Sequence, residues 1–502
     1  MIGFMGSGKT TAARAAAEVL HTVAVDADNV IEQRLGKPIE RVFAEDGEAA
    51  FRAAEEATTL ELLADADTRV LALGGGAIGS ERVRRALADR LVIWIDVDLD
   101  TAWARAHGSG RPLAQDRAQF ESLHSQREPL YAALADAIVP ASRSAAMGPV
   151  LASLQGLPIG FRMLWGASAS GDYPVYIGAG LLSERRFWPA AIEGRRFLVT
   201  DGRVARLYGD AVEPLAARVS VMPGEQSKTV AHAEVVWTEL ARAGMTRDDV
   251  VVALGGGVVG DLAGFCAATY QRGVRYVQVP TTLVAQVDSA YGGKTGIDLA
   301  EAKNYVGAFH QPVAVIADTA VLATLPAEEV AAGYAEIVKT ALIAGGALWD
   351  RVRAGADPTD PEVITACVRT KLAIVAKDER DGGVREVLNL GHTVGHAIET
   401  ATGYASYRHG EAVALGLLAA LRLSGQDDLR REVKQLLSAR KLPTVLAEAD
   451  PEAVIRATTL DKKRRGEGPV PFVLLEAPGA ARPGCHVDPG ALRAAVRELT
   501  MP

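Results

Sequence analysis

Residues near the amino terminus have the types and spacing of a phosphate-binding loop. The segment from Gly3 to Thr10 reads GFMGSGKT, which fits the pattern G-x-x-x-x-G-K-[ST]. In such a loop, glycines let successive backbone N–H groups surround phosphate, and the following helix adds the positive end of its dipole. The lysine contacts the β- and γ-phosphates, and the hydroxyl holds Mg²⁺. The pattern predicts a nucleotide site formed by Gly6, Ser7, Gly8, Lys9, Thr10 and Thr11.

Carboxylates and guanidinium groups beyond this loop indicate which acceptor it serves. Asp26 and Asp28 follow a predicted strand, where they can reach Mg²⁺ and an acceptor hydroxyl. Arg52, Arg111 and Arg127 add three guanidinium groups to a chain that is otherwise acidic. A bidentate guanidinium matches the geometry of a carboxylate. We therefore expect a small anionic alcohol as the phosphoryl acceptor.

A cluster of histidines indicates a second kind of chemistry. Three of the nine histidines, His392, His396 and His409, lie within 18 residues. The first two are at positions i and i+4, which places them on one helix face. Thr393 stands where H-E-x-x-H has glutamate, which disfavours a hydrolytic zinc site. With Glu336 as an acidic candidate, two imidazoles and one carboxylate are typical of a catalytic divalent metal such as Zn²⁺.

A glycine-rich turn upstream suits a dinucleotide. Residues Val250 to Asp261 read VVVALGGGVVGD, which predicts a buried strand, a turn and a helix start that could hold a pyrophosphate. The turn lacks the spacing of G-x-G-x-x-G, so tight packing of strand on helix is the alternative explanation. A similar ALGGG occurs at Ala72 to Gly76, but the residues that follow differ. We interpret the two as independent turns and not as a repeat.

The elements that must position these residues form two α/β runs and a helical region. Up to about residue 140, strands at 70–73 and 91–97 alternate with glycine loops and helices, which indicates a parallel α/β unit. A second run has strands at 196–200, 250–254, 275–279 and 313–317, and helical patterns dominate after Pro326. The predicted division is a first domain at 1–140, a linker at 141–160, an α/β domain at 161–325 and a mainly helical domain at 326–502.

Composition excludes several classes of protein. A chain of 502 residues is too long for one core and should fold as about three units. Its net charge of -8 and its lack of a sustained basic stripe argue against a nucleic-acid partner. Three cysteines that are far apart favour a reducing cytoplasm over a disulfide framework. No apolar run reaches the ~20 residues of a membrane helix, so we expect no membrane partner.

Residues 1 to about 140 resemble shikimate kinase. The shared motifs are GxMGxGK[ST], the DxD of Asp26 and Asp28, FRxxE from Phe51, the triple glycine from Gly74, Arg111-Pro112 and RxPLY from Arg127. The resemblance implies catalytic roles for Lys9, Asp28 and Arg111, with Asp26 and Thr10 supporting Mg²⁺. It implies that the substrate is held by Asp28, Arg52, Gly74, Gly75, Gly76 and Arg127. A gluconate- or adenylate-type kinase is the alternative, but it does not explain DxD and FRxxE together.

Residues from about 160 to 502 resemble 3-dehydroquinate synthase. The shared motifs are PGEQSK from Pro223, PTT from Pro280, DSAYGGKTG from Asp288, GYAExxK from Gly333 and LNxGHTxGHAxE from Leu388. The resemblance implies that Zn²⁺ or Co²⁺ is bound by Glu336, His392 and His409. It implies NAD⁺ contacts with Glu225, Lys228, Gly257, Gly260, Asp261, Thr281, Thr282, Lys294, Lys303 and Thr324. It implies substrate contacts with Asp288, Lys294, Asn304, Lys339, Lys371, Arg385, Asn389 and His396, of which Lys294, Lys339 and His396 are catalytic, and with Arg272 across a dimer interface.

Together the two resemblances imply a fused bifunctional enzyme of aromatic amino-acid biosynthesis in the cytoplasm. The first half would use ATP with Mg²⁺ to convert shikimate to shikimate 3-phosphate. The second would use NAD⁺ and a divalent metal to convert 3-deoxy-D-arabino-heptulosonate 7-phosphate to 3-dehydroquinate, with loss of phosphate and no net oxidation. We expect a homodimer through the synthase half. The alternatives are another P-loop kinase fused to a metal-dependent glycerol-type dehydrogenase, or a chain with one inactive half.

The strand that leads into the phosphate loop is short in this sequence. Two residues, Met1 and Ile2, precede Gly3. A strand in a doubly wound sheet is normally about five residues or more. From this we expect a natural start upstream of Met1. The alternative is that the kinase half tolerates a shortened central strand.

Overall fold

A computed structural model describes residues 1–108, 112–299, 303–458 and 470–501. The chain divides into two units. Unit 1 comprises Met1–Ala167 and Pro189–Ala191, and unit 2 comprises Ser168–Trp188 and Ile192–Pro502. The second α/β run and the helical region, which the sequence predicted as separate domains, therefore lie in one unit.

Unit 1 contains a parallel sheet that leads into the phosphate loop. Its strands are β1 (Ala24–Asp26), β2 (Val70–Ala72), β3 (Ile93–Asp96), β4 (Ala137–Pro140) and β5 (Arg162–Gly166). β1 pairs with β2, and β3, β4 and β5 pair in that order, all in parallel. Met1 and Ile2 lie between the two groups, because Leu73 N donates to Met1 O at 3.1 Å and Ile95 N donates to Ile2 O at 2.9 Å. The loop after Ile2 therefore starts from the middle of the sheet.

Eight helices of unit 1 lie within the described residues. They are α1 (Lys9–Val19), α2 (Ala27–Leu35), α3 (Ile39–Glu45), α4 (Gly47–Ala64), α5 (Glu81–Ala86), α6 (Leu99–Ala106), α7 (Arg117–Leu134) and α8 (Met147–Leu154). α1 buries a face made of alanines, Ala12, Ala13, Ala16 and Ala17. Side chains this small let the helix lie close to its neighbours.

Helix α8 lies where the sequence predicted a linker at 141–160. Met147, Val150 and Ser153 are buried on one face of this helix, which packs against α1. A helix of eight residues is too short to show a clear apolar period. The boundary between the units lies instead at Ala167 and Ser168.

Unit 2 contains a six-stranded parallel sheet and two small hairpins. Its strands are β6 (Tyr173–Gly178), β7 (Arg196–Asp201), β8 (Leu215–Val221), β9 (Val250–Gly255), β10 (Arg275–Pro280), β11 (Lys294–Ile297), β12 (Val306–Phe309), β13 (Ala314–Asp318), β14 (Phe472–Leu475) and β15 (Ala481–Cys485). The parallel order is β6, β13, β10, β9, β7, β8. β9 is buried along its whole length, as the apolar run predicts for a central parallel strand. The four strands predicted for this α/β run are confirmed as β7, β9, β10 and β13.

The chain after residue 326 is mainly helical, as predicted. The helices of unit 2 are α9 (Gly202–Tyr208), α10 (Val230–Arg242), α11 (Gly257–Thr269), α12 (Ala327–Ala344), α13 (Gly346–Arg353), α14 (Pro361–Lys377), α15 (His392–Ala401), α16 (His409–Leu423), α17 (Asp427–Ala439), α18 (Pro451–Thr458) and α19 (Pro489–Glu498). Within the described ranges, none of the helices is long and apolar enough to cross a membrane.

Glycines allow three of these helices to pack backbone against backbone. A Cβ added to Gly410 of α16 would lie 1.9 Å from the carbonyl oxygen of Ala332 on α12. A Cβ on Gly416 would lie 2.0 Å from the carbonyl oxygen of Gly391, the N-cap of α15. No larger residue fits these positions without moving a helix. α12, α15 and α16 are therefore held at short, fixed distances.

Candidate active sites

The phosphate loop has the backbone that its glycines allow. Gly6 and Gly8 have φ of 75° and 94°, in the left-handed region that other residues rarely adopt. Helix α1 begins at Lys9, whose Nζ donates to Phe4 O at 3.0 Å. Thr10 Oγ1 donates to Asp26 Oδ2 at 2.6 Å, so the loop and the end of β1 meet. Thr11 is exposed on α1.

The triple glycine after β2 leaves space that other side chains fill. A Cβ on Gly76 would lie 2.0 Å from Arg52 Nη1. A Cβ on Gly74 would lie 2.4 Å from Glu55 Oε1 and 2.7 Å from Asp28 Oδ1. The structure therefore brings the predicted Asp28 and Arg52 together at this turn.

Glu55, which was not among the predicted site residues, holds Arg52. Arg52 Nη1 donates to Glu55 Oε2 at 2.6 Å, and its Nη2 donates to Glu48 Oε1 at 3.0 Å. Burial alone would lower the pKa of Arg52, but these two carboxylates raise it above its ordinary value. Glu55 is buried on the same face of α4, at i+3 from Arg52. The spacing FRxxE was a signal that could have found it.

Arg127 approaches the same turn from α7. Its Nη1 donates to Gly75 O at 3.1 Å, and Tyr131 Oη donates to that oxygen at 2.6 Å. Burial lowers the pKa of Arg127. Asp28, Arg52 and Arg127 thus surround one triple glycine, while Arg111 lies outside the described residues.

In unit 2, three helices bring Glu336, His392 and His409 together. Glu336 lies on α12, and the two histidines are the first residues of α15 and α16. Nε2 of His392 lies 3.4 Å from Glu336 Oε1, and Nε2 of His409 lies 3.2 Å from the same oxygen. One ligand atom from each residue lies within 4.8 Å of the other two. The glycine contacts between these helices set these distances.

The residues present fit a divalent metal. Glu336 is 1% exposed. One of its carboxylate oxygens pairs with Lys339, and the other, Oε1, faces the two imidazoles. Burial alone would raise the pKa of Glu336, but Lys339 and His392 hold it well below its ordinary value, so the carboxylate is ionised. Burial lowers the pKa of His392, which favours the neutral imidazole that binds metals. A buried carboxylate oxygen and two imidazole nitrogens converge here, which is a typical set of ligands for Zn²⁺.

Two buried lysines lie beside this cluster. Lys339 forms an ion pair with Glu336, and its Nζ lies 3.5 Å from Asp288 Oδ1. Lys371 Nζ lies 3.0 Å from the same Asp288 oxygen. Burial lowers the pKa of Lys371 to about 8. Burial would raise the pKa of Asp288, but Lys339 and Lys371 lower it to about 2. Two fixed ammonium groups next to a metal site are suited to an anionic substrate.

Other predicted substrate residues lie around these lysines. Lys294 forms an ion pair with Asp381, which was not predicted as a site residue. Arg385 is buried and donates to Glu379 O at 2.6 Å and to Gly292 O at 3.1 Å. The His396 ring lies 5.3 Å from that of His392. Asn389 ends the 3₁₀ helix Val384–Asn389, three residues before His392.

The glycine turn after β9 meets the end of β10. Thr281 N donates to Gly255 O at 2.9 Å. A Cβ on Gly256 would lie 2.8 Å from Thr282 Cγ2, and one on Gly257 would lie 2.9 Å from Ser289 Oγ. A Cβ on Gly260 would lie 2.7 Å from Gln278 Oε1. The start of α11 and the two threonines therefore lie side by side.

A charged cluster lies next to this turn. Lys228 Nζ donates to Asp261 Oδ2 at 2.6 Å, contacts Asn304 Oδ1 and lies 3.9 Å from Glu225. Lys303 Nζ lies 3.6 Å from the same Glu225 carboxylate. Burial would lower the pKa of Lys228, but Asp261 and Glu225 raise it. Five predicted residues thus meet in one group.

Thr324 and Arg272 have other surroundings. Thr324 is exposed, its Oγ1 lies 2.9 Å from Tyr208 Oη, and its carbonyl accepts a hydrogen bond from Arg203. Arg272 is exposed just beyond the carboxyl end of α11. Thirteen helical residues span about 20 Å, so Arg272 lies far from Gly257 of the same chain.

Comparison with known proteins identifies unit 2. Residues 218–332 match the family model for the 3-dehydroquinate synthase N-terminal domain, and residues 333–464 match the model for its C-terminal domain. The 3-dehydroquinate synthase of Halorhodospira halophila is 47% identical over 337 residues, which cover 64% of this chain and 94% of that protein. The chain belongs to the 3-dehydroquinate synthase family. The 3-dehydroquinate synthase of Symbiobacterium thermophilum is 44% identical over 64% of this chain and 96% of its own.

The amino-terminal part of the chain matches a second enzyme family. Residues 5–154 match the shikimate kinase family model. The predicted fusion of shikimate kinase and 3-dehydroquinate synthase is therefore confirmed, and the chain is a bifunctional enzyme of the shikimate pathway with a kinase and a lyase.

Solved structures confirm the predicted fold of the synthase half. The 2-epi-5-epi-valiolone synthase from Streptomyces hygroscopicus subsp. jinggangensis 5008, solved with NAD⁺ and Zn²⁺ bound, has a TM-score of 0.59 and 26% identity. The matched region covers 65% of this chain and 96% of the Streptomyces protein. A 2-deoxy-scyllo-inosose synthase has the same TM-score with 24% identity, over 67% of this chain and 99% of its own, which shows a shared fold.

Proposed function

We propose that both halves of this enzyme are active and that the residues gathered at each site perform the two reactions. The observation that carries the proposal for the synthase half is the meeting of Glu336, His392 and His409 beside the buried ammonium groups of Lys339 and Lys371. This arrangement offers a cation site next to an anion site in one cluster.

In the kinase half, the loop residues Lys9 and Thr10 would hold ATP with Mg²⁺, and Asp26 would support the metal through Thr10. Asp28, beside the triple glycine, would accept a hydrogen bond from the shikimate hydroxyl that attacks the γ-phosphate. Arg52 and Arg127 would bind the shikimate carboxylate, for which a guanidinium has the matching geometry. Glu55 would keep Arg52 in place before the substrate binds.

In the synthase half, Glu336, His392 and His409 would hold a divalent metal, Zn²⁺ or Co²⁺, and the turn at Gly257 with Thr281 and Thr282 would hold NAD⁺. When bound, NAD⁺ supplies a hydride acceptor and the metal a Lewis acid for a secondary alcohol. The Streptomyces relative solved with NAD⁺ and Zn²⁺ supports this pairing.

Several cations would orient the substrate of the synthase. A sugar acid that carries both a phosphate and a carboxylate needs fixed positive charges in one pocket. Lys339 and Lys371 would supply two of them, and Lys294, which is exposed and pairs with Asp381, would supply a third. His396, whose ring lies 5.3 Å from that of His392, would move a proton at the substrate.

We also infer a homodimer through the synthase half. Arg272 is exposed about one helix length from Gly257 of the same chain, so it can serve an active site of another copy. Mixing an Arg272→Ala variant with a His392→Ala variant should restore part of the synthase activity, because each mixed dimer then contains one intact site. Sedimentation as a monomer, or no recovery in the mixture, would contradict the dimer.

Both reactions can be tested on the purified full chain. With 3-deoxy-D-arabino-heptulosonate 7-phosphate, NAD⁺ and Zn²⁺, we expect release of phosphate and 3-dehydroquinate with no accumulation of NADH. With ATP, Mg²⁺ and shikimate, we expect ADP and shikimate 3-phosphate. A His392→Ala variant should lose the first reaction and keep the second. Steady accumulation of NADH would indicate a dehydrogenase and overturn the proposal.

A further inference from the structure

Glu399 is a buried carboxylate at the edge of the proposed metal site. It is 4% exposed and lies on α15, seven residues after His392. Seven residues are about two helical turns, so Glu399 lies on the same face as His392. Its Oε1 lies 3.5 Å from Nδ1 of His409 and 3.7 Å from Nζ of Lys303. A carboxylate buried this deeply needs such partners.

The imidazole of His409 lies between two carboxylates. Its Nε2 faces Glu336, which also faces His392, and its Nδ1 faces Glu399. A metal among Glu336, His392 and His409 would therefore bind Nε2 of His409. The other ring nitrogen of a metal-binding histidine commonly donates its N–H to a carboxylate. In this chain the carboxylate that faces Nδ1 of His409 is Glu399, whose Oε1 lies 3.5 Å away.

We propose that Glu399 is a positioning residue that accepts a hydrogen bond from Nδ1 of His409 and so fixes the tautomer and orientation in which Nε2 binds the metal. This inference rests on the metal site proposed above. Glu399 acts through His409, and its loss should weaken the metal site before it affects substrate contacts. Outer partners of this kind typically change metal affinity by about 10- to 100-fold.

Two other roles for Glu399 would change different measured quantities. Glu399 could serve Lys303, and through it the NAD⁺ site, because the ion pair between them is nearly as short. It could also be a ligand itself, because His396, Glu399 and His409 offer atoms within 4.8 Å of one another for a second ion. The experiment below separates the three.

The test compares the wild type with Glu399→Gln, Glu399→Asp and a control, Glu329→Gln. Glu329 is a carboxylate on the same helix as Glu336, but it is partly exposed and bonds Arg408 at 3.0 Å. Zn²⁺ affinity is measured on the full chain by competition with a chromogenic chelator. We expect Glu399→Gln to bind Zn²⁺ about 10- to 100-fold more weakly, Glu399→Asp to recover part of this loss, and Glu329→Gln to match the wild type.

The Co²⁺-substituted proteins give a second measurement. The visible absorption of bound Co²⁺ should change in Glu399→Gln, because the orientation of the His409 ring changes, and stay the same in Glu329→Gln. Unchanged Zn²⁺ affinity with a higher Kd for NAD⁺ would overturn the proposal in favour of Lys303. Two ions per wild-type chain, of which Glu399→Gln loses one, would overturn it in favour of a ligand. Failure of the wild type to bind Zn²⁺ would instead contradict the metal site itself.

Discussion

Asp288 is a single carboxylate shared by two buried ammonium groups, those of Lys339 and Lys371. Their pKa values move in opposite directions. Burial alone would lower the pKa of Lys339, but Asp288 and Glu336 raise it above its ordinary value. In Lys371 burial dominates and lowers the pKa to about 8. One of the two lysines can thus lose its proton near physiological pH, and the other keeps its charge.

This difference predicts a pH dependence for the synthase. Lys371 is an ammonium group below its pKa and becomes neutral as the pH rises through about 8. We therefore expect kcat/KM to fall at higher pH, by about tenfold per unit for one proton. In Lys371→Arg the guanidinium keeps its charge, so the fall should move to higher pH. A pH–rate profile of both proteins checks this, and an unmoved fall would assign it to another group.

Lys9 offers a matching test in the kinase half. Lys9→Ala removes the ammonium group that the loop presents to the β- and γ-phosphates. We expect kinase turnover to fall by a factor on the order of 10²–10³, as for the loss of one group that stabilises transition-state charge. Synthase turnover, assayed on the same preparation, should be unchanged. Loss of both activities would indicate coupled sites or unfolding.

At the scale of elements, the triple glycine after β2 can be tested one residue at a time. A Cβ at Gly76 would displace the Arg52 guanidinium, which lies 2.0 Å away. Because that side chain is flexible, Gly76→Ala should fold but raise the KM for shikimate by about 10- to 100-fold, the worth of one hydrogen bond to a charged group. Gly79→Ala is the control, because its Cβ would meet nothing within 4 Å. Steady-state kinetics of the two variants should differ in the KM for shikimate and agree in the KM for ATP.

The contact between α16 and α12 allows a second test. A Cβ at Gly410 would meet the backbone of Ala332, which cannot rotate away. Gly410→Ala should therefore lower the free energy of unfolding by about 1–3 kcal/mol and weaken Zn²⁺ binding, because it pushes His409 away from Glu336. Gly202→Ala is the control, because Gly202 is also near the start of a helix and its Cβ would meet only the side chain of Arg206, at 3.9 Å. Thermal unfolding and chelator competition measure the two effects, and equal behaviour of the variants would contradict this account.

The sequence predicted the strands and helices better than it predicted the contacts between side chains that are distant in sequence. Strands β7, β9, β10 and β13 and the mainly helical region after residue 326 follow from apolar runs and periodicity, which are local signals. Helix α8 was missed because two turns are too short to show a period. Asp381 was missed because its partner Lys294 is 87 residues away, and no spacing in the sequence reports such a contact. The i+3 spacing within FRxxE could have paired Glu55 with Arg52. Nothing in the motif that contains Glu399 shows that it faces His409, which lies on another helix.

At the scale of the whole molecule, removal of metal should separate the two activities. The ligands Glu336, His392 and His409 belong to unit 2, whereas the phosphate loop belongs to unit 1. A strong chelator, removed before the assay and followed by Mg²⁺ alone, should abolish the synthase and leave the kinase. Zn²⁺ or Co²⁺ should then restore the synthase. Recovery of both activities with Mg²⁺ alone would contradict a transition-metal site.

The close approach of α12, α15 and α16 also bears on how the enzyme acquires its ion. Carbonyl oxygens lie 1.9 and 2.0 Å from where the Cβ atoms of Gly410 and Gly416 would be, so the backbone fixes these helices whether or not an ion is bound. In zinc fingers, by contrast, the metal itself drives folding. Here the ion would bind to a preformed site, and removal of the ion should leave the fold intact. The occupant would then be decided by supply, and the same chain could work with Zn²⁺ in one cell and Co²⁺ in another.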